Sequence, residues 1–169
     1  MSAIKNQILF LGLTLGMLLL SSCYSFKGTS ISPEVNTFYV ALFENNAINV
    51  VPTLDVVFTE RLRDKIRLES RLRYNDTEPD IEFSGAIIGY DISSVAPQPG
   101  ETTAFSRLKI TVSVNYLNNK VEDDKWKQNF DFFADFSADE NIINIQDDLI
   151  ATINNQLVEN IFNKAFNNW

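Results

Sequence analysis

The residues of this chain that could perform chemistry are mainly carboxylates. They occur as adjacent pairs at Asp123-Asp124, Asp139-Glu140 and Asp147-Asp148. Such pairs can act as general acid and base, or supply oxygen ligands to a metal. However, the chain has no histidine, so the usual general base and the commonest zinc ligand are missing. Adjacent acids are also common in turns and at helix N-termini, where they favour solubility and the helix dipole.

No glycine-rich phosphate loop, nucleophile elbow or metal-ligand spacing accompanies these carboxylates. We therefore expect no enzyme, no metal site and no resident cofactor. An enzyme that uses only Asp and Glu stays open as the least favoured alternative, and it predicts a cleft with strongly shifted carboxylates.

The only cysteine of the chain, Cys23, follows an apolar run from Ile8 to Leu20 that is preceded by Lys5. This run is shorter than the roughly 20 residues that a bilayer span requires. A basic start, an apolar centre and small residues before a cut site are typical of a secretory signal peptide. The ending Leu-Ser-Ser-Cys matches a bacterial lipobox, which predicts cleavage before Cys23 and acylation of its thiol. The alternative is an ordinary signal peptide that ends near a cysteine.

Removal of residues 1–22 leaves 147 residues, with 13 Lys and Arg against 22 Asp and Glu. This length suits one globular domain. Such an acidic chain is a poor ligand for nucleic acid or for anionic membranes, so the expected membrane attachment is the lipid on Cys23. Tyr24 and Ser25 follow the cysteine with no aspartate, which favours the outer membrane and its periplasmic face.

The mature chain begins with an aperiodic segment over residues 23–36, which we interpret as a tether. The aromatic and β-branched stretch Thr37–Phe43 predicts a strand. Apolar residues at three- and four-residue spacing then predict a helix over residues 52–72, capped by Asn49 or Thr53. These apolar residues are Leu54, Val57, Phe58, Leu62, Ile66 and Leu72.

The other face of this helix is rich in arginine and lysine. A basic patch for an anionic glycolipid is one interpretation. The favoured one is a solvated face with local ion pairs, because Glu60/Arg63 and Asp64/Arg67 have suitable spacing.

Three further strands are predicted over Asp80–Ser93, Arg107–Leu117 and Trp126–Phe136. In the last two, apolar and polar residues alternate, which marks an antiparallel sheet with one buried face. The first is apolar on both parities, and Gly85 and Gly89 would allow a bulge where the parity changes. A second amphipathic helix is predicted from near Asn144 almost to Trp169.

The predicted order is β-α-β-β-β-α. Two amphipathic helices would cover the apolar face of a four-stranded, mainly antiparallel sheet. We therefore predict a two-layer α+β sandwich that forms one domain over residues 37–169, after a signal peptide (1–22) and a lipidated tether (23–36).

Several features occur in a fixed order along the chain. They begin with the signal and lipobox, Cys23-Tyr24-Ser25-Phe26, and strand Phe38–Phe43. They continue with the helix carrying Leu62-Arg63-Asp64-Lys65-Ile66 and the loop-bearing hairpin Ile81–Tyr116, and end with Phe132-Phe133 and the segment Asn144–Leu149 that opens the last helix. In this element order and pattern, the chain resembles the LptE family of lipopolysaccharide-assembly lipoproteins.

This resemblance implies that the domain sits as a plug inside an LptD-like outer-membrane barrel. The pair would deliver lipopolysaccharide to the outer leaflet, and the lipoprotein would assist barrel assembly. In the family, basic residues near the tip of the middle hairpin are expected to meet the glycolipid. Here the tip Pro97–Phe105 has no Lys or Arg, so Arg107, Lys109 and Lys127 are the nearest candidates.

A second hypothesis is a stand-alone periplasmic lipid carrier or auxiliary lipoprotein of a transport system. It predicts a sizeable apolar cavity between helices and sheet, whereas the plug predicts a filled core.

Overall fold

The computed structural model describes residues 31–49, 51–96 and 104–167. Cys23, the predicted signal peptide and most of the hairpin tip Pro97–Phe105 lie outside these residues. Within them, no helix has the length and apolar character needed to cross a bilayer. The elements are β1 Thr37–Val40, β2 Glu44–Asn45, α1 Leu54–Glu69, β3 Arg73–Tyr74, β4 Ile81–Val95, β5 Phe105–Asn118, β6 Lys125–Ser137 and α2 Ile142–Phe166.

The six described strands form one mixed sheet in the order β3-β1-β4-β5-β6, with β2 also paired to β4. Strands β4, β5 and β6 make a long antiparallel meander. Strands β1 and β2 lie parallel to β4, because α1 carries the chain back across the sheet between them. The predicted α+β class is confirmed. Four strands were predicted, and the described chain has six. The predicted strand Thr37–Phe43 is only Thr37–Val40 (β1), and the two-residue strands β2 and β3 were not predicted.

Both helices pack on the same face of the sheet, α1 over β1 and β2, and α2 over β5 and β6. Arg61 contacts Asn155, and one turn later Lys65 contacts Glu159, so the two helices run parallel. The predicted alternation in β5 is confirmed, since every second residue from Leu108 to Tyr116 is buried. The core beneath the helices is one apolar cluster, whose fully buried large side chains include Phe38, Phe43, Phe58, Phe83, Leu62, Ile66, Ile110 and Ile153.

Helix α1 is shorter than the predicted span of 52–72. It begins after Thr53, whose backbone is left-handed (φ 68°) and whose side chain makes no capping hydrogen bond. It ends before Ser70, which is extended. Leu72 is buried as the apolar spacing suggested, but it lies beyond the helix.

The predicted bulge in the middle of the meander is confirmed. The β4–β5 register shifts between Ile87 and Gly89, so that the buried parity passes from Ile87 to Tyr90. Gly85 lies two residues before this shift, at a point where the backbones of β4 and β5 come very close together. A Cβ atom there would be 2.0 Å from the backbone oxygen of Ser113 and 2.8 Å from Cε1 of Phe43.

We expect Gly85→Ala to destabilise the domain by about 1–3 kcal/mol or more, because the clashing oxygen belongs to a strand backbone that cannot turn away. The measurement is urea unfolding followed by circular dichroism. The matched variant is Gly89→Ala, where a Cβ atom would meet only side-chain atoms of Asp91 and Thr111 at 3.2–3.3 Å. Equal losses for the two variants would contradict the close-approach argument.

One polar side chain in the core has no hydrogen-bond partner among the described residues. Asn154 of α2 is 0% exposed, and neither its amide nitrogen nor its amide oxygen is bonded. A buried amide without partners costs about 1–3 kcal/mol relative to a satisfied one. Asn154 is therefore a site where the native sequence is not optimal for stability.

Replacing Asn154 by leucine keeps the branched skeleton and exchanges the two unpaired polar atoms for methyl groups. We expect Asn154→Leu to raise the free energy of unfolding by about 1–3 kcal/mol. The neighbouring exposed Asn155 bonds Arg61 and serves as the matched control, since Asn155→Leu should give no gain. A loss of stability in Asn154→Leu, measured in the same urea series, would argue against the amide being unsatisfied.

Candidate interaction surface on the open sheet face

The face of the meander that points away from the helices is the main polar surface positioned by the fold, and we call it the open face. It is formed by the outward residues of β4, β5 and β6, which alternate with the buried ones. Acids and bases are interspersed along it, in contrast to the strong net negative charge of the chain. On β5 and β6 its residues are Arg107, Lys109, Thr111, Ser113, Asn115, Lys125, Lys127, Asn129, Asp131, Phe133 and Asp135.

Arg107 lies at the end of the open face nearest the tip of the β4–β5 hairpin, where two residues of β6 contact it. Its Nε and Nη2 atoms donate to the two carboxylate oxygens of Asp135, at 2.6 and 2.8 Å. Its guanidinium carbon also lies 3.6 Å from the centre of the Phe133 ring. The hydrogen bonds from Arg107 hold the pKa of Asp135 below its usual range. The charge of Arg107 is thus locally neutralised, which makes it the weakest of the three predicted glycolipid contacts.

Lys109 and Lys127 share the open face with Arg107, but only Lys109 is its neighbour, two residues further along β5. Lys109 lies between Asp91 and Phe133 in the register of the sheet, and Lys127 lies opposite Asn115. Neither lysine makes an ion pair within the part of the chain that the structure describes. Six residues of β5 separate their positions, which corresponds to about 20 Å. The sequence placed these lysines on the correct face, and the structure separates them along it.

A shallow groove of about 470 Å³ crosses the centre of the open face. Its floor consists of small residues, which include Ser84, Ala86 and Ser113, and its sides include Leu42 and Ile88. Leu42 and Ile88 are 60% and 42% exposed. Small side chains on a sheet allow another chain or ring to approach the backbone closely. The lining also includes Glu44 and Lys127, so the groove offers a contact surface with both apolar and charged side chains.

Two further clefts lined by described residues open at the surface, and both contain polar as well as apolar residues. A groove of about 780 Å³ runs outside the two helices, between Val57 and Leu68 of α1 and Val158 of α2. A cleft of about 300 Å³ lies between Ile31, Trp126 and the end of α2. Beneath the helices, aromatic rings fill the interior: Phe43 packs on Phe58 at 5.0 Å and Phe83 on Tyr116 at 5.3 Å between ring centres.

Local ion pairs form on the charged face of α1. The favoured interpretation of this face, a solvated surface with ion pairs at three-residue spacing, predicted them. Arg63 pairs with Glu60, and Arg67 with Asp64 at 2.9 Å. Lys65 lies between Glu69 of its own helix and Glu159 of α2. Burial acts against the charged form of Lys65, but its hydrogen bonds to these two glutamates raise its pKa above the ordinary value.

Among the adjacent carboxylates, Asp124 and Asp139 accept hydrogen bonds that support the local structure. Asp124 accepts hydrogen bonds from Asn118 at 2.7 Å and from the Tyr116 hydroxyl at 3.3 Å, which closes the β5–β6 turn. Burial, with Asp124 adding to it, raises the pKa of Tyr116. Asp139 accepts from the hydroxyl of Ser137. No group of three or more metal-ligating side chains occurs among the described residues.

The comparisons with known proteins agree with this fold. The family model described as "LptE: Lipopolysaccharide-assembly" matches residues 35–165. This chain belongs to the LptE family. The match covers all of the described elements except Phe166, the last residue of α2, and it makes the chain a member of a lipopolysaccharide-assembly lipoprotein family that is not enzymatic. Envelope association follows from that membership.

One solved lipoprotein structure shares this fold at very low sequence identity, and others resemble the chain more weakly. A minor lipoprotein from Acinetobacter baumannii is 8% identical and has a TM-score of 0.50, over 77% of this chain and 91% of that chain. Rare lipoprotein B from Shewanella oneidensis is 12% identical and has a TM-score of 0.49, over 76% and 89% of the two chains. The search of curated proteins found no significant match.

The contact between Arg107 and Asp135 is the residue pair that sequence reasoning missed, although a hairpin alignment centred on the β5–β6 turn would have found it. We expect Arg107→Gln to return the pKa of Asp135 towards its ordinary value, since the hydrogen bonds that lower it are lost. The measurement is a pH titration of the Asp135 carboxyl by NMR. Lys109→Gln removes an adjacent charge from the same strand and should leave the titration almost unchanged. An identical response to both variants would contradict a specific pair.

Proposed function

We propose that this protein is the lipoprotein subunit of a lipopolysaccharide translocon and acts as a plug and assembly partner of an LptD-like outer-membrane barrel. The observation that carries the proposal is a closed, well-filled domain with a polar open face, in a chain of the LptE family. A compact body with interspersed charges suits the polar interior of a wide barrel. Membership of an assembly family supplies the biological context.

The filled interior favours the plug over the stand-alone lipid carrier. A carrier would bury acyl chains in an apolar cavity between the helices and the sheet. That space is occupied by fully buried side chains such as Phe58, Ile66 and Ile153. The clefts described above lie at the surface and are lined partly by charged groups.

We further propose that Cys23 is acylated, with no other cofactor, and that its acyl chains hold the domain at the outer membrane. Ile31 is eight positions after Cys23, so the segment that joins them reaches at most about 28 Å. Ile31 lines the cleft beside Trp126 and the end of α2. The end of the domain with the β5–β6 turn would therefore be nearest the bilayer, and the tip of the β4–β5 hairpin farthest from it.

The start of the described chain is fastened firmly to this end of the sheet. The carboxylate of Asp80 accepts hydrogen bonds from the backbone nitrogens of Asn36 at 2.7 Å and Thr37 at 3.0 Å. It also faces the ammonium of Lys120 at 3.2 Å. Burial alone would raise the pKa of Asp80, but these bonds outweigh it and lower that pKa. A lipid tether that joins the domain here would be coupled directly to the sheet.

Direct contact with the anionic glycolipid is a finer proposal for the same surface. Lys109 and Lys127 are suited to it because their charges have no partner in the described chain. Arg107 would first have to leave Asp135. Lys109 lies closer to the hairpin tip and is our preferred contact residue.

We expect the lipidated protein, tagged at its C-terminus and pulled down from detergent-solubilised outer membrane, to bring a large barrel protein with it in about one-to-one ratio. The identity of the recovered protein is read by mass spectrometry. Recovery of the lipoprotein alone with bound lipid would overturn the plug and favour the carrier. Cys23→Ser is the matched variant for the anchor, and it should lose membrane association while keeping its circular dichroism spectrum.

Photo-crosslinking at two opposite surfaces then separates a plug from a protein docked on one side. One probe replaces Lys127 on the open face, and the other replaces Arg67, which is exposed on α1. A plug is surrounded by the barrel, so both probes should give adducts with the barrel. Adducts from one probe only would indicate side-on docking.

A further inference from the structure

The outer edge of β6 is the longest free strand edge in the described part of the chain. β6 spans 13 residues and has one neighbour, β5. The β5–β6 register runs from Phe105 to Leu117 without a break, and β6 contains neither proline nor glycine. On the opposite side of the sheet, β3 and β2 have two residues each, and β4 has no described strand neighbour beyond Ile87 on that side. A long and regular edge presents a row of unpaired backbone donors and acceptors, and natural proteins normally shield such edges.

The charges on β6 are arranged by sign along the strand. On the open face, Lys125 and Lys127 occupy its first half, and Asp131 and Asp135 occupy its second half. Lys127 and Asp131 are exposed and make no ion pair with the described residues. Asp135 is already held by Arg107, and Lys125 has only a long contact of 3.8 Å to Asp123.

This order of charges is self-complementary for an antiparallel pair. When Asn129 lies opposite Asn129 of a second copy, Lys127 lies opposite Asp131 of that copy, and the same pair forms again across the two-fold axis. In the same register Lys125 faces the ring of Phe133. Directly opposed charges and cation–aromatic pairs both stabilise antiparallel strands. Asp123 and Asp135 would face each other at the ends of the overlap, but each of them already has a basic neighbour in its own chain.

We propose that β6 is a homodimer interface, through which two copies of this chain join edge to edge into one continuous sheet. The two-fold axis passes between the two Asn129 residues and stands perpendicular to the sheet, so both pairs of helices lie on one side. A self-complementary edge is the arrangement that a two-fold interface requires. The inference concerns the protein when it is free of any barrel, so its failure would leave the proposed function unaffected.

The first test is the oligomeric state of a chain that begins at residue 23 and carries Cys23→Ser. The described core extends from Val35 to Phe166, so this chain keeps the whole domain. Sedimentation equilibrium should show a monomer–dimer equilibrium. A pure monomer at about 100 μM, where even weak transient interfaces are populated, overturns the proposal.

The second test exchanges the two charges that should meet. Lys127→Asp places like charges opposite each other twice and should raise the dimer Kd about tenfold or more, and Asp131→Lys should do the same. The double variant Lys127→Asp/Asp131→Lys restores opposite charges and should return the Kd to near the original value. Lys109→Asp changes the net charge of the chain by the same amount as Lys127→Asp, but on the inner strand β5. It should therefore have little effect on the dimer Kd. If the dimer Kd does not change in these variants, the dimer uses another surface, and the assignment to β6 is overturned.

The third test fixes the register. In the Cys23→Ser background the chain contains no thiol, so one introduced cysteine reports a single position. Residues opposed in an antiparallel pair have Cα atoms about 4.5–5.5 Å apart, within the range of a disulfide. Asn129→Cys should therefore form a disulfide-linked dimer readily under mild oxidation. Lys109→Cys, exposed on β5, should not, and equal rates for the two would contradict the proposed axis.

Discussion

The fold depends on covering one apolar face of the β4–β5–β6 meander. Three long strands place Phe83, Ile110, Phe130 and their neighbours on that face, and only the two helices are available to exclude water from it. Because α1 and α2 run parallel and side by side, their contact seam is also part of the core. Because both helices pack on one face of the meander, no described element packs on the opposite face. That open face is therefore the surface available to partners.

The open face has the properties of a contact surface rather than of a reaction centre. Its charges are either paired, as Arg107 is with Asp135, or spread along the strands, as Lys109 and Lys127 are. Its central groove is floored by small residues. No group of three or more metal-ligating side chains lies among the described residues. The chain belongs to a lipopolysaccharide-assembly lipoprotein family.

The two unusual features of the interior lie close to the elements that define the architecture. Gly85 allows β4 to approach the backbone of β5 at the start of the bulge, and the bulge in turn brings Tyr90 to the buried face. Asn154 stands fully buried on α2, with its amide unpaired among the described groups. The first is a steric requirement of the sheet. The second reduces stability, and nothing in the structure explains it.

The sequence by itself determined the two helices and the three long strands, because helix and strand periodicities are local properties of a chain. The stripe from Leu54 to Ile66, the alternation from Leu108 to Tyr116 and the ion pairs of α1 could all be read from spacing alone. The tertiary structure decided which strands are neighbours. The parallel placement of β1 and β2 beside β4 and the free edge of β6 depend on contacts between residues far apart in the chain. Local periodicity carries no information about such contacts, so only the folded sheet could show them.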